Sequence, residues 1–276
     1  MRRAASLLTL CLLAASASPA LAGETACWFE NGAVVAPAAL GDIAGDFVID
    51  LSAPRTLLHL DVAQGAGFTD TALTLPVRVA GQRVQAAPVT VANLDYRAVG
   101  FSTPILGVIG ADVLDRYEVT LDFAPCRLRL RSPGATSGRQ DGALRVVMVG
   151  GIPTIAAAAS DGFKGLRGPF ALDTASGGGV RARGAADGPR QKPAGTLTAF
   201  SLRDSRGGSR AGSLRQRLPA VVAGDLPAGV VGAIGVEVLS AYRLRLDPLA
   251  LKLWLTPVAG PKAAAQEKGP GVSAEP

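Results

Sequence analysis

Ile105-Leu-Gly-Val-Ile-Gly-Ala-Asp-Val-Leu-Asp-Arg-Tyr-Glu-Val-Thr-Leu-Asp122 returns later in the chain as Val230-Val-Gly-Ala-Ile-Gly-Val-Glu-Val-Leu-Ser-Ala-Tyr-Arg-Leu-Arg-Leu-Asp247. Gly107 aligns with Gly232, Gly110 with Gly235, Tyr117 with Tyr242 and Asp122 with Asp247, all at one offset of 125 residues. A second match lies upstream, where Phe47-Val-Ile-Asp50 and Phe170-Ala-Leu-Asp173 stand 123 residues apart. Near-constant spacing across two separate motifs marks an internal duplication. Two copies of about 110 residues are too few and too long for a solenoid, so the chain reads as two lobes.

Each copy reads as β-structure. Val77-Arg-Val-Ala-Gly-Gln-Arg-Val84 alternates around a glycine turn, and Glu118–Phe123 and Arg127–Leu130 flank Ala-Pro-Cys as a hairpin. Helical patterning is brief: Leu57–Gln64, and short turns at Asp112–Arg116 and Glu237–Ala241. The boundaries expected are a leader at 1–22, a first lobe at 23–131, a linker at 132–143, a second lobe at 144–256 and a disordered tail at 257–276.

Composition excludes more chemistry than it offers. At 48% hydrophobic and 18% charged residues, the 276-residue chain can bury a real core. One histidine, His59, and three cysteines leave little for a multi-ligand zinc site or a serine triad, so no metal and no cofactor is expected. The net charge of +6 gathers partly in an arginine-rich stretch, 181–217, whose one aromatic is Phe200. That pattern reads as a solvated loop and argues against nucleic acid. Arg2-Arg3, an apolar run from Ala4 to Ala15 and Ala20-Leu21-Ala22 form a cleavable export signal, which predicts a mature start at Gly23 in the periplasm or outside the cell. The apolar run is too short to span a bilayer, so no stable membrane insertion is expected once it is removed. Cys27 and Cys126 then remain, and one pair in an oxidising compartment allows one disulfide; two unpaired buried thiols are the alternative.

Each copy also sets one aspartate directly after an apolar strand. Asp50 is followed by Leu51-Ser52-Ala53, and Asp173 by Thr174-Ala175-Ser176. Ile105-Leu106-Gly107 and Val230-Val231-Gly232 then follow Asp50 by 57 residues and Asp173 by 59. A lone aspartate after a strand is usually a turn or cap residue. Two at equivalent repeat positions, each before small residues, point instead to a pair brought together between lobes.

With those residues in view, the chain resembles the retropepsin-like and pepsin-like aspartic proteases over roughly 44–130 and 167–255. The resemblance implies an all-β fold of two homologous lobes with a cleft between them. It implies Asp50 and Asp173 as the catalytic pair, flanking loops 51–53 and 174–176 as their support, and Gly107 and Gly232 as structural glycines. Two carboxylates in contact share one proton, so one can accept a proton from water while the other donates to the substrate carbonyl. The implied activity is aspartic-type endopeptidase action on a peptide or protein substrate, by a monomer. The sequence departs from the family pattern at Leu51, which lacks the hydroxyl that bonds across the loops, and at Ser52, which stands where glycine is usual. Those departures motivate the alternative, an inactive homologue that binds a peptide or protein partner in the cleft.

Overall fold

The computed structural model describes residues 23–134, 142–160, 165–183, 193–197, 199–203, 209–210, 218–223 and 226–258. The leader, most of the linker and nearly all of the tail read from sequence lie outside the described residues. The first half carries β1 (Gly23–Ala26), β2 (Trp28–Glu30), β3 (Ala33–Leu40), β4 (Ile43–Ile49), β5 (Thr56–His59), α1 (Leu60–Gly65), β6 (Ala72–Val79), β7 (Gln82–Ala92), α2 (Asp95–Ala98), β8 (Ile105–Ile109), α3 (Ala111–Leu114), β9 (Glu118–Phe123) and β10 (Cys126–Arg131). The second carries β11 (Leu144–Val149), β12 (Ile152–Ser160), β13 (Gly165–Leu172), β14 (Val180–Arg183), β15 (Pro193–Leu197), β16 (Ala199–Arg203), β17 (Ser209–Arg210), β18 (Leu218–Ala223), β19 (Gly232–Ile234), α4 (Val236–Leu239), β20 (Tyr242–Asp247) and β21 (Lys252–Pro257).

Six strands of the first half close into a barrel in the order β3-β4-β8-β5-β7-β6, with β6 pairing back to β3. Closure leaves the ring no open edge. The second half repeats the pairing senses. Antiparallel β3/β4 corresponds to β12/β13, and parallel β4/β8 to β13/β19. Antiparallel β5/β8 corresponds to β14/β19, and parallel β5/β7 to β14/β18. Among the described residues this second set does not close: its path ends at β15, and β16 pairs with β12. Among the described residues the fold is therefore β-dominated with one closed six-stranded barrel. A further run, β1-β10-β9-β20-β21-β11, joins the halves, and Leu121 lies opposite Leu244 at the β9/β20 seam.

The two sequence motifs meet at the centre of each half. Phe47 lies opposite Gly107 in β4/β8, and Phe170 opposite Gly232 in β13/β19. Both rings are fully buried. A Cβ on Gly107 would fall 2.2 Å from the Leu57 carbonyl oxygen, and one on Gly232 would fall 2.3 Å from the Phe170 ring. Burying each phenylalanine is worth about 1.5–3 kcal/mol, and only glycine leaves room for it there. Motifs far apart in sequence thus match because their residues touch.

The β6/β7 hairpin turns at Ala80-Gly81, both at positive φ, as a two-residue hairpin turn requires. The helix read over Leu57–Gln64 is corrected. Thr56–His59 is a strand paired on both sides, with β7 and β8, and the helix begins only at Leu60. Two ladders of backbone hydrogen bonds outweigh local helical patterning. His59 caps that helix by accepting from the Asp61 N–H. Cys27 and Cys126 are disulfide-bonded, with Cα atoms 4.9 Å apart, where the chain leaves β1 for β2. No helix among the described residues is long and apolar enough to cross a membrane.

Candidate functional site

The same hydrogen-bonded frame holds each aspartate. Asp50 N–H donates to the Ile109 carbonyl and Asp173 N–H to the Ile234 carbonyl, at 3.0 and 2.9 Å. Ala111 N–H donates to Ala53 and Val236 N–H to Ser176, again in matching positions. Gly110 N–H reaches the Thr56 hydroxyl, whereas Gly235 N–H reaches the Gly179 carbonyl. The strand, the aspartate loop and the short helix after each glycine motif are thereby locked together. The acid at Asp112 does more than favour a helix N-terminus, since it accepts from both the Thr56 N–H and the Thr56 hydroxyl.

The two loops touch through Thr174. Its hydroxyl donates to the Ile49 carbonyl at 2.6 Å and accepts from the Leu51 N–H at 3.1 Å, and its carbonyl accepts from the Val34 N–H. One half of a reciprocal cross-loop arrangement is therefore present; the other half has no hydroxyl, because Leu51 instead buries its side chain in the core. Ser52 is no defect. Its N–H and hydroxyl both donate to Asp50 Oδ1, at 2.8 and 2.6 Å, while Ala175 N–H donates to Asp173 Oδ1 at 3.0 Å. Ala53 is buried beside Asp50, and Ser176 gives its carbonyl to the frame.

Replacing Thr174 with valine should expose what this residue does. Valine keeps the volume but leaves the Leu51 N–H and the Ile49 carbonyl buried without their partner, at about 1–3 kcal/mol for each group. Denaturant titration should give a loss of about 2–4 kcal/mol for Thr174→Val and far less for Thr174→Ser. Equal losses in both variants would refute the hydrogen-bond account.

The outer oxygens are where the site departs from a bare pair. Arg97 Nη1 stands 2.8 Å from Asp50 Oδ2, and Arg181 Nη2 stands 2.7 Å from Asp173 Oδ2. Asp50 and Asp173 are 1% and 2% exposed. Arg97 comes from α2, which follows the β6/β7 hairpin, and Arg181 from β14. In the strand pairing Arg181 lies opposite Ala233 as Leu57 lies opposite Val108, so a guanidinium occupies the place of an aliphatic side chain. By composition 181–217 reads as a solvated loop. For Arg181 that reading is corrected, since its strand carries it to a buried carboxylate and the charge cannot be left there unpaired.

Burial pushes the Asp173 carboxyl above the ordinary carboxylate range, and the nearby Asp50 charge pushes it the same way; Arg181 and the Ala175 N–H oppose this without overcoming it. The native state then holds the proton more tightly than the unfolded chain does. The stability this contributes is complete below pH about 4 and is lost as pH rises through the raised value. The midpoint of urea unfolding should fall from pH 4 to 7 more steeply in the wild type than in Asp173→Asn. Parallel slopes would contradict the assignment.

Two cavities flank Arg97. One of about 420 Å³ is lined by residues of both halves, among them Ser52, Arg55, Leu57, Arg97, Arg181 and Leu226. The other, about 240 Å³, is lined by Asn31, Tyr96, Arg97, Phe101 and Ser176 among others. Arg97 thus stands between two openings, above a carboxylate it pairs with. A larger cavity, about 570 Å³, lies among Arg127, Arg129, Arg243 and Asp122 on the joining sheet and shares no lining residue with either. Asp122 there accepts from Arg129 and Arg243. Among the described residues, His59, Asp61 and Asp95 bring ligand-type atoms within 4.8 Å of one another. His59 Nδ1 accepts from the Asp61 N–H, which leaves Nε2 to donate to Asp95 Oδ1 at 3.1 Å. The group is thereby explained as a helix cap with an anchored ring.

No protein-family model matches the chain, and no curated protein matches it by sequence. Solved structures do. The aspartic proteinase of Irpex lacteus superposes with a TM-score of 0.51 at 11% identity, over 87% of this chain and 98% of its own. A retropepsin-like aspartic protease from Rickettsia conorii covers 41% of this chain and 93% of its own at 19% identity, with a TM-score of 0.32, too low to add to the argument. The fold thus resembles that of the pepsin-like aspartic proteases. At such identity the likeness is one of fold alone.

Proposed function

We propose that the chain is an exported aspartic-protease homologue of two homologous lobes, 23–131 and 144–256, whose interlobe cleft binds an extended peptide or protein segment without hydrolysing it in its resting state. The observation that carries this reading is the guanidinium on the outer oxygen of each aspartate. Hydrolysis by a carboxyl pair needs one group to take a proton from water while the other donates one. On Asp50 a charge-assisted hydrogen bond from Arg97 occupies the oxygen that would do so, and on Asp173 the Arg181 guanidinium stands 2.7 Å from it as an ion pair. The paired openings on either side of Arg97 suit a ligand that runs along the cleft. Export is supported by the Cys27–Cys126 bond, which persists in oxidising compartments.

Aspartic-type endopeptidase action is the second reading. It is favoured by the inner oxygens, which keep their amide and hydroxyl donors from Ser52 and Ala175, and by the raised proton affinity of Asp173. The two readings separate in one assay. A capped peptide library is incubated with the protein from pH 3 to 7, with binding followed by fluorescence anisotropy and cleavage by mass spectrometry. Binding with the peptides left intact is the expected result. Cleavage by the wild type that disappears in Asp50→Asn would establish the second reading instead.

A further inference from the structure

The larger cavity beside Arg97 holds more guanidinium than carboxylate. Arg55, Arg97 and Arg181 all line it. Asp50 answers Arg97 and Asp173 answers Arg181. Arg55 is exposed, and no carboxylate lies within ion-pair distance of it among the described residues. The cavity's other walls include Ile152, Leu226 and Ala233, whose low polarity strengthens the attraction felt by a charge placed beside them. The opening on the far side of Arg97 differs: it offers that one arginine, already paired, beside Tyr96 and Phe101. The cleft is therefore asymmetric in charge along its length.

We infer that the larger cavity takes a carboxylate of the bound peptide, either an acidic side chain or a free C-terminus, with Arg55 as its principal partner. This inference rests on the peptide-binding reading above and names the ligand chemistry of that cleft. Two partly exposed guanidiniums already matched by aspartates make the surroundings electrically neutral, and the third supplies the uncompensated charge that an anion would meet. Arginine suits the task, since its planar fork meets a carboxylate through two parallel hydrogen bonds.

The test uses four octapeptides on one scaffold: neutral and amidated, the same with a single glutamate, the same with glutamine in that place, and the neutral peptide with a free C-terminus. Affinities are measured by calorimetry at pH 6 in low salt, and glutarate alone is tested by its effect on Tm. The glutamate or free-acid peptide should bind about tenfold more tightly than its neutral partner, a difference typical of one well-formed charged contact. Which of the two gains identifies the source of the carboxylate. The preference should shrink to about twofold in Arg55→Gln and in high salt. Equal affinities for all four peptides would overturn this inference and leave the peptide-binding reading intact. Full preference in Arg55→Gln would overturn the role given to Arg55. If no peptide binds but glutarate still raises Tm, the carboxylate site stands and the peptide reading fails; if neither binds, both fail.

Discussion

A chain carrying serine at both Cys27 and Cys126 is expected to lose about 4–5 kcal/mol of stability, because the bridge closes a loop spanning 99 residues of sequence and loops near that length are worth about that much in the chain-entropy account. For a protein of this size the loss corresponds to a Tm lowered by roughly 10–20 °C. The location adds to the argument. β1 pairs with β10 in the sheet that joins the halves, and two residues after β1 the chain enters β2 of the other sheet. The bond and the Cys27 N–H to Cys126 carbonyl hydrogen bond hold that crossing together. Denaturant titration of the double-serine variant against the oxidised wild type measures the effect. A difference under about 1 kcal/mol would mean that the unfolded chain is already constrained by other means.

How far the sequence carries the fold depends on whether a residue's partner is also written in a pattern. Phe47 and Gly107, like Phe170 and Gly232, occur at repeated spacing, so a duplicated strand-aspartate unit and its glycine segment were legible together. The β9/β10 hairpin follows from alternation, and the frame around Asp50 and Asp173 follows from the duplication. Arg97 and Arg181 follow from neither. Arg181 stands in line with Leu57, and a substitution that breaks a repeat leaves no periodic trace. Arg97 sits on a four-residue helix whose position is set by His59, Asp95 and Asn93, none of which belongs to a motif. Against the pattern of the aspartic proteases that the chain resembles, Leu51 and Ser52 read as losses. In the folded chain Thr174 bridges both loops by itself, and Ser52 supplies two donors to Asp50. A pattern reports which residue is usual at a position, whereas hydrogen-bond satisfaction depends on every group within reach. The path of the second half among its described residues is of the same kind, since the pairing senses repeat while β16 pairs with β12.

Removing both guanidiniums should switch on hydrolysis. In Arg97→Met/Arg181→Leu the second change installs the side chain that the first half carries at the equivalent place. Asp50 and Asp173, almost wholly buried and near enough for the Asp50 charge to raise the Asp173 proton affinity, would then lack their cations. Two such carboxyls cannot both hold a charge, so the pair retains one proton, the state in which it can take a proton from water and give one to a carbonyl. The inner oxygens are already held by Ser52 and Ala175, and Thr174 fixes the distance between the loops. Peptide cleavage should rise at least about 100-fold over the wild type, which corresponds to about 2.7 kcal/mol of barrier, and its pH profile should be bell-shaped on the acid side. Stability will suffer, since removing one partner of a buried ion pair costs about 3–5 kcal/mol. Circular dichroism and peptide affinity must therefore be measured on the same preparation, and Arg97→Met alone gives a milder second case. Asp50→Asn in the double background should return the protein to silence, because a lone carboxyl cannot serve both ends of the reaction. A folded double variant that binds peptide and cleaves nothing from pH 3 to 7 would show that the arginines are not what restrains the chemistry. The missing hydroxyl at Leu51 would then be the deeper obstacle, and the cleft would be a binding groove in every state.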